Sequence, residues 1–171
     1  MQRIAKFEKV SFSQFEKDFI KNFGEGYDVK AVYDAINLPK RATTGSAGYD
    51  FFAPVDLKME KGTTLLVPTG IRAKIDEGWV LNIFPRSGLG FKHRIQLDNT
   101  VGIIDSDYYF SSNEGHIMIK ISCDAFDEGH NLEVACGNGF AQGIFLPYGI
   151  TFDDNVTEIR DGGFGSTTNK K

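Results

Sequence analysis

The residues best suited to chemistry lie in the run VGIIDSDYYF, residues 101–110, where carboxylates follow an apolar stretch directly. Asp105 and Asp107 come after two isoleucines and are followed by Tyr108. A carboxylate at the end of a stiff strand can be held in position to take a proton from a water molecule. An ordinary strand-to-turn edge has the same composition, so this run alone leaves both interpretations open.

The segment PRSGLG, residues 85–90, has the composition of a phosphate-binding loop. Arg86 offers a planar fork that matches phosphate oxygens, and Ser87 offers a hydroxyl. Gly88 lets a backbone N–H come close to an anion. A surface turn with an incidental arginine is the ordinary interpretation of so short a motif.

The C-terminal run RDGGFGSTTNKK, residues 160–171, joins glycines and hydroxyls to Arg160. It lacks the lysine of a P-loop. An isolated Phe164 gains nothing in water, whereas a base stacked on its ring gains about 1–3 kcal/mol. We therefore interpret the run as an arm that closes over a nucleotide, with Arg160 and Ser166 on its phosphates. A disordered glycine-rich end remains the alternative.

A second carboxylate that could support phosphate chemistry is Asp50, in the run AGYDFF. Magnesium keeps several waters and binds through few carboxylates plus substrate phosphates, so one or two acidic side chains are sufficient for a magnesium site. A turn or strand-end residue is the ordinary interpretation of Asp50 alone. The histidines at 93, 116 and 130 have no ligand-like spacing. We interpret all three as surface or strand residues.

The segments that must position these residues are short and apolar, and they alternate with Gly, Pro and Asp turns after Pro39. They read TTLLVPTGIRAKI, WVLNIF, HIMIKIS and FAQGIFLPYGI. Ile117, Ile119 and Ile121 recur with the two-residue period of a half-buried strand. Many short strands separated by turns predict an all-β sandwich or barrel. A βαβ rhythm is absent from the sequence.

The N-terminal segment 11–23 carries a helical pattern instead. Its apolar side chains recur at i, i+3, i+7 and i+8, at Phe12, Phe15, Phe19 and Ile20. Ser13 and Glu16 match a capping box, and Gly24 supplies a stop. We expect this helix to pack on its own domain rather than to dock on a partner.

Length, charge and cysteine content narrow the class of protein. The 171 residues predict one domain, with or without an appendage. A formal charge of −4 predicts no general attraction to nucleic acid or to an anionic membrane. Cys123 and Cys136 fit neither a disulfide framework nor a metal motif, and we expect both to be reduced and buried. The N-terminus has no apolar leader and no run of 18 apolar residues occurs, so we expect a cytoplasmic protein.

Five stretches, in order, resemble the five motifs of the trimeric deoxyuridine triphosphate nucleotidohydrolases, the dUTPases. They read LPKRATTGSAGYDFFAP, PRSGLG, DNTVGIIDSDY, GNGFAQ and RDGGFGST. The resemblance implies a jelly-roll-like β-sandwich or distorted barrel, a homotrimer with shared active sites, Mg²⁺, and hydrolysis of dUTP to dUMP and pyrophosphate. It also implies an N-terminal extension over 1–36, a β domain over 37–159 and a flexible arm over 160–171.

The resemblance assigns roles around the reacting phosphate and the nucleoside. Asp105 matches the base that activates water for attack on the α-phosphorus. Tyr108 matches the ring that packs on the deoxyribose and excludes a 2′-hydroxyl. The residues that match the uracil-binding hairpin and its pocket are Asn99, Gly102, Ile103, Ile104 and Met118.

The resemblance also assigns phosphate and metal contacts. Arg86, Ser87 and Gly88 match the β-phosphate loop, Gln142 matches a phosphate contact, and Asp50 matches an aspartate that supports magnesium through water. The residues that match the closing arm, with the aromatic ring stacked on uracil, are Arg160, Phe164, Gly165, Ser166 and Thr167.

Three features depart from the family pattern. Gly139 stands where the fourth motif usually has arginine, and one residue is missing between Arg160 and the Gly162–Gly163 pair. Residues 109–115 form an insertion, interpreted either as a longer hairpin tip or as a partner-binding loop or lid. Two alternatives to a dUTPase remain: a dCTP deaminase of the same fold, and a dUTP-sensing trimer that binds a regulatory protein.

Overall fold

The computed structural model describes residues 2–124, 131–158 and 160. Most of the regular structure is β-strand: β1 Ala5–Lys9, β2 Lys40–Arg41, β3 Tyr49–Phe52, β4 Leu57–Met59, β5 Thr64–Pro68, β6 Ile71–Ile75, β7 Trp79–Pro85, β8 Ile95–Leu97, β9 Gly102–Ile104, β10 Met118–Cys123, β11 Leu132–Val134 and β12 Gly139–Pro147. The helices are α1 Phe12–Phe23, α2 Val29–Ala35, α3 Ser87–His93 and a 3₁₀ helix at Ser106–Phe110.

The strands form antiparallel sheets. One sheet has five strands in the order β2-β3-β12-β7-β9, and a second has three in the order β5-β10-β8. Two further pairs join β1 to β6 and β4 to β11. All of these pairs are antiparallel. The apolar runs of the sequence coincide with β5, β6, β7, β10 and β12, which confirms the prediction of a chain built mostly from β-strands.

The core lies on the faces that the two-residue period predicted. On β10 and just before it, Ile117, Ile119 and Ile121 are buried, whereas Lys120 is exposed. Burying such a side chain contributes roughly 1.5–3 kcal/mol relative to leaving it in water. The alternation therefore fixes the register, because a slip by one residue would carry Lys120 into the core.

The N-terminal segment packs on the strands that follow it. β1 pairs with β6 in register from Ala5–Ile75 to Lys9–Ile71. Helix α1 buries Phe15 and Phe19 completely. The helix thus packs on its own chain, as expected.

The start of α1 differs from the predicted capping box. The N-cap is Ser11, whose side-chain oxygen accepts a bond from the Gln14 N–H. Ser13 already lies inside the helix, so the Ser13–Glu16 assignment was wrong. Ser11 and Ser13 both fit the sequence pattern of an N-cap. The Ser11 hydroxyl also donates to the Glu114 carboxylate, which holds Ser11 at the start of the helix. Gly24 ends the helix with φ of 79°, as predicted.

The sequence predicted that both cysteines are buried. Cys123 is buried, but Cys136 is exposed, so the prediction was wrong for Cys136. Cys136 follows β11 in a turn, where the sequence offers no strand period from which burial could be inferred.

Within residues 2–124, 131–158 and 160, every helix is too short or too polar to cross a bilayer.

Candidate active site

A cavity of about 320 Å³ opens beside β9 and β10. The predicted uracil-site residues Asn99, Gly102, Ile104 and Met118 all line it. Its walls are mostly aliphatic, with Asn99 and the Asp98–Lys120 ion pair, 2.7 Å apart, as polar groups. An apolar cavity with few polar groups is the usual form of a small-molecule site.

The hairpin between β8 and β9 is tightly turned at this cavity. Thr100 has φ of 62°, which is uncommon for a residue with a side chain, and its N–H donates to the Leu97 carbonyl at 2.9 Å. A Cβ at Gly102 would lie 3.0 Å from the Ile83 Cβ. A larger residue at position 102 would therefore crowd the Ile83 side chain of β7.

Ile103 differs from its neighbours in the predicted set. It pairs with Asn82, whereas Gly102 pairs with Ile83. Successive residues of a strand point to opposite faces, so the Ile103 side chain points away from the cavity and is 55% exposed. Only its backbone can take part in a hairpin contact with a base in this cavity.

Asp105 comes directly after β9 and precedes the 3₁₀ helix. Its carboxylate is about half-exposed and accepts a bond from Arg160 Nη2 at 3.0 Å. Asp107 lies 3.4 Å from Arg160 Nε. Asp105 and Arg160, predicted from separate motifs, are thus brought together, and Asp107 lies beside them.

Tyr108 lies beneath this group, with only 3% of its surface exposed. The Arg160 guanidinium lies 5.5 Å from the centre of its ring. Its hydroxyl donates to the carbonyl of His116 at 2.9 Å and accepts from the Asn113 amide at 2.8 Å. Burial raises the pKa of the Tyr108 phenol, which keeps it protonated. Tyr108 is not among the residues that line the 320 Å³ cavity.

The predicted phosphate-binding residues gather in a second depression of about 730 Å³, lined by Arg86, Ser87 and Gln142. Arg86 Nε lies 3.3 Å from Asp50 Oδ1, and the Gln142 amide donates to the Pro85 carbonyl at 3.1 Å. Gly88 falls in the first turn of α3, where a Cβ would meet nothing within 4 Å. Its lack of a side chain is therefore not needed for packing within this chain.

Gly139 has a direct relation to Arg86. A Cβ at position 139 would lie 3.0 Å from both Cδ and Nη1 of Arg86. Arg86 Nη1 also donates to the Gly139 carbonyl at 3.4 Å. The Arg86 side chain thus lies over the position where the family pattern has an arginine, and the glycine makes room for it.

The two depressions lie on opposite faces of the five-stranded sheet. Residues directly opposite each other in antiparallel strands share a face. Asp50 pairs with Gln142, which pairs with Phe84, whereas Gly102 pairs with Ile83 on the other face. The residues predicted to bind the base and those predicted to bind the phosphates therefore point in different directions within one chain.

Four predicted arm residues, Phe164, Gly165, Ser166 and Thr167, lie outside the described residues. Among the residues that the structure describes, no group of three or more His, Cys, Asp and Glu side chains could hold a metal ion.

The sequence interpretation of His116 was wrong, since this residue is neither a surface nor a strand residue. It is fully buried, and its ring bonds Asp18 of α1 at 2.6 Å and the Gly70 N–H at 2.8 Å. Asp18 and Asn113 were also missed as neighbours of the site. No local pattern could reveal them, because 98 residues separate Asp18 from His116.

Comparisons with known proteins agree with these observations. The sequence model of the family described as dUTPase matches residues 26–168. The deoxyuridine 5'-triphosphate nucleotidohydrolase of Lactococcus lactis is 37% identical over 147 residues, 83% of this chain and 96% of that protein. The enzyme of the same name from Haemophilus ducreyi is 43% identical over 136 residues, 75% of this chain and 84% of that protein.

Solved structures show the same relation. A dUTPase from Streptococcus mutans is 36% identical, with a TM-score of 0.58, over 67% of this chain and 88% of that chain. The dUTPase from phage phi11 of S. aureus has a TM-score of 0.64 over 91% of this chain and 97% of that chain, and at 18% identity it shows the fold alone. With the family match over most of its length and relatives at 37–43% identity, the chain belongs to the dUTPases, the enzymes that hydrolyse deoxyuridine triphosphate.

Proposed function

We propose that the chain hydrolyses dUTP to dUMP and pyrophosphate by a water molecule that Asp105 activates for attack on the α-phosphorus. The observation that carries this mechanism is the position of Asp105 directly after β9, whose residues Gly102 and Ile104 line the base cavity. A base bound there has its sugar and α-phosphate next to the end of β9. The carboxylate is about half-exposed, so water reaches it.

Uracil binds in the 320 Å³ cavity and is recognised by the hairpin. Asn99 and the backbone at 102–104 offer the donors and acceptors, while Met118 and the aliphatic walls exclude water. Leaving buried polar groups unpaired against another base reduces its use strongly, by up to 10⁴–10⁵-fold in favourable cases. The ring of Tyr108 packs on the deoxyribose and selects against a 2′-hydroxyl.

Arg86, Ser87, Gly88 and Gln142 hold the phosphate groups. Arg86 is already oriented by Asp50, at 3.3 Å, so its fork loses little freedom on binding. Asp50 would support the water shell of a Mg²⁺ ion bound with the triphosphate, and that ion would neutralise charge on the phosphate oxygens. The sparse acidic set fits a metal that keeps most of its waters and binds through few carboxylates.

The active sites are shared between three copies of the chain. The base-site and phosphate-site residues point to opposite faces of the five-stranded sheet, so a single nucleotide can contact both sets if they come from different copies. Residues 148–158 support this arrangement, because Ile150, Phe152 and Val156 are at least three-quarters exposed. Apolar side chains left open in this way mark an interaction surface.

The antiparallel strands fit the jelly-roll β-sandwich or distorted barrel of the family, with 1–36 as an N-terminal extension. Residues 160–171 form the arm, in which Phe164 stacks on uracil while Arg160, Gly165, Ser166 and Thr167 surround the γ-phosphate. The 3.0 Å bond from Arg160 to Asp105 supports an arm that reaches the reacting centre.

A regulatory partner and a dCTP deaminase activity have no specific observation in their favour. Residues 109–116 bind the N-terminal segment of the same chain through Tyr109, Glu114 and His116. Their polar groups are therefore engaged within the chain, which favours a structural role over a partner-binding loop or a lid.

The decisive assay measures pyrophosphate release from dUTP, dTTP, dCTP and UTP, with and without Mg²⁺. We expect turnover of dUTP alone and a strong loss without Mg²⁺. Ammonia release from dCTP would support the deaminase, and tight dUTP binding with negligible turnover would support a sensor. A structure with a non-hydrolysable dUTP analogue in which Asp105 and the α-phosphorus are too far apart to share a water would refute the mechanism.

A further inference from the structure

The N-terminal segment and residues 109–116 form a clasp, which we define by three contacts. The Glu114 carboxylate accepts bonds from the Ser11 hydroxyl at 2.6 Å and the Ser11 N–H at 2.7 Å. The Tyr109 hydroxyl donates to Glu8 at 2.6 Å. The third contact joins Asp18 to His116 at 2.6 Å. Helix α1 lies before residues 26–168, which match the family's sequence model, so the clasp joins a segment outside that match to one inside it.

The third contact has a defined protonation pattern. The Gly70 backbone N–H can only donate, so His116 Nε2, 2.8 Å away, must accept and carries no proton. The proton of the neutral ring is therefore on Nδ1 and is donated to Asp18 Oδ2. Burial pushes the pKa of Asp18 upward, but the bonds from His116 and Gln14 outweigh it and the pKa is lowered. The ring is thus held at both nitrogens, one of them by an ionised carboxylate.

The backbone of the same histidine holds Tyr108. The Tyr108 hydroxyl donates to the His116 carbonyl at 2.9 Å and accepts from the Asn113 amide at 2.8 Å. His116 is completely buried and its ring is bonded at both nitrogens, so a displacement of the whole residue breaks the bond to Asp18 or to Gly70. A chain of hydrogen bonds therefore runs from helix α1 to the phenol of Tyr108.

We propose that the N-terminal helix takes part in sugar selection: Asp18 fixes His116, His116 fixes the Tyr108 hydroxyl, and the ring is thereby held where it excludes a 2′-hydroxyl. Asp18 and His116 are positioning residues, since neither touches the substrate. This inference rests on the proposed role of Tyr108 at the deoxyribose. A ring held at its far end rejects an extra hydroxyl, whereas a ring that can tilt makes room for it.

The test compares kcat/KM for dUTP with kcat/KM for UTP in the full-length enzyme. This ratio does not depend on the fraction of enzyme that is folded, so a merely structural role leaves it unchanged. In Asp18→Ala we expect the ratio to fall at least tenfold, mainly through faster use of UTP. In Asp18→Asn, which keeps an acceptor oxygen for His116, we expect a smaller fall. The matched control is Asp34→Ala, since the Asp34 carboxylate is exposed, lies in the same segment and pairs only with Lys30 in the described residues.

An Asp18→Ala enzyme that turns over dUTP with the wild-type ratio overturns the inference. If that variant does not fold, the ratio in Asp18→Asn decides, and an unchanged ratio there also overturns it. Tyr108→Leu separates the inference from the proposed function. A wild-type ratio in Tyr108→Leu refutes the sugar contact itself, whereas a lowered ratio in Tyr108→Leu with a normal one in the Asp18 variants refutes only the role of the helix.

Discussion

Replacing Asp105 by asparagine tests the reacting centre most directly. The substitution keeps the size and shape of the side chain but removes its charge and its ability to accept a proton from water. General-base catalysis contributes about 10²–10⁴-fold, so we expect kcat to fall by that factor, or about 2.7–5.4 kcal/mol in the activation barrier.

The same substitution should leave folding and binding intact. The carboxylate is 46% exposed, and its pair with Arg160 is partly open to solvent. Exposed pairs contribute about 0–1 kcal/mol, so we expect the free energy of unfolding to change by less than about 1 kcal/mol. Because a negative charge next to the triphosphate is removed, dUTP should bind as tightly as before or more tightly.

Single-turnover pyrophosphate release measures the chemical step, and titration with a non-hydrolysable dUTP analogue measures binding. The matched control is Asp107→Asn, because Asp107 is a neighbouring carboxylate that also contacts Arg160, at 3.4 Å, and is similarly exposed. We expect less than a threefold change in kcat for the control. Near-normal kcat in Asp105→Asn, or equal losses in both variants, would refute the assignment of Asp105 as the base.

Three further outcomes are expected. Removing residues 161–171 should lower kcat for dUTP at least 100-fold with an unchanged unfolding midpoint, and normal turnover would show that the arm is idle. Phe15→Ala should lower the free energy of unfolding in a urea titration by about 3–5 kcal/mol because the ring is fully buried, whereas the exposed Phe110→Ala should change it by less than about 0.5 kcal/mol. Glu8 has its pKa lowered from 4.5 to about 2 by bonds from Lys6 and Tyr109, so it stabilises the fold above pH 4.5 and this contribution is lost as pH falls toward 2. The stability of Glu8→Gln measured between pH 7 and 2 should fall less steeply than that of the wild type, and parallel curves would contradict the shift.

Much of the local structure was predictable because it depends on neighbouring residues. The alternation of Ile117, Ile119 and Ile121 with polar residues sets one buried face, and this requires no knowledge of the partner strand. The apolar stripe of α1 likewise identified the buried side chains Phe15 and Phe19. The cap was predicted wrongly, because Ser11 and Ser13 are equivalent in the sequence and only Glu114, about 100 residues away, distinguishes them.

At the candidate active site too, the residue types could be predicted from the sequence, whereas the side-chain directions could not. The motif residues around Asp105 and Arg86 were predicted from residue type, order and the resemblance to the dUTPases. The direction of each side chain was not, because it depends on strand register: Ile103 points away from the cavity that Gly102 and Ile104 line. Gly139 was a departure without explanation until the structure showed that a Cβ there would lie 3.0 Å from the Arg86 side chain.

The sequence by itself determined the strands, the helix and the identity of the chemical groups, because these follow from periodicity and side-chain chemistry over a few residues. Only the tertiary structure decided which groups meet. It set the residues predicted to bind the base and those predicted to bind the phosphates on opposite faces of one sheet, and it joined Asp18 to Tyr108 through the buried His116. The physical reason is that hydrogen bonds and packing between distant segments depend on how the whole chain folds, which no short stretch of sequence encodes.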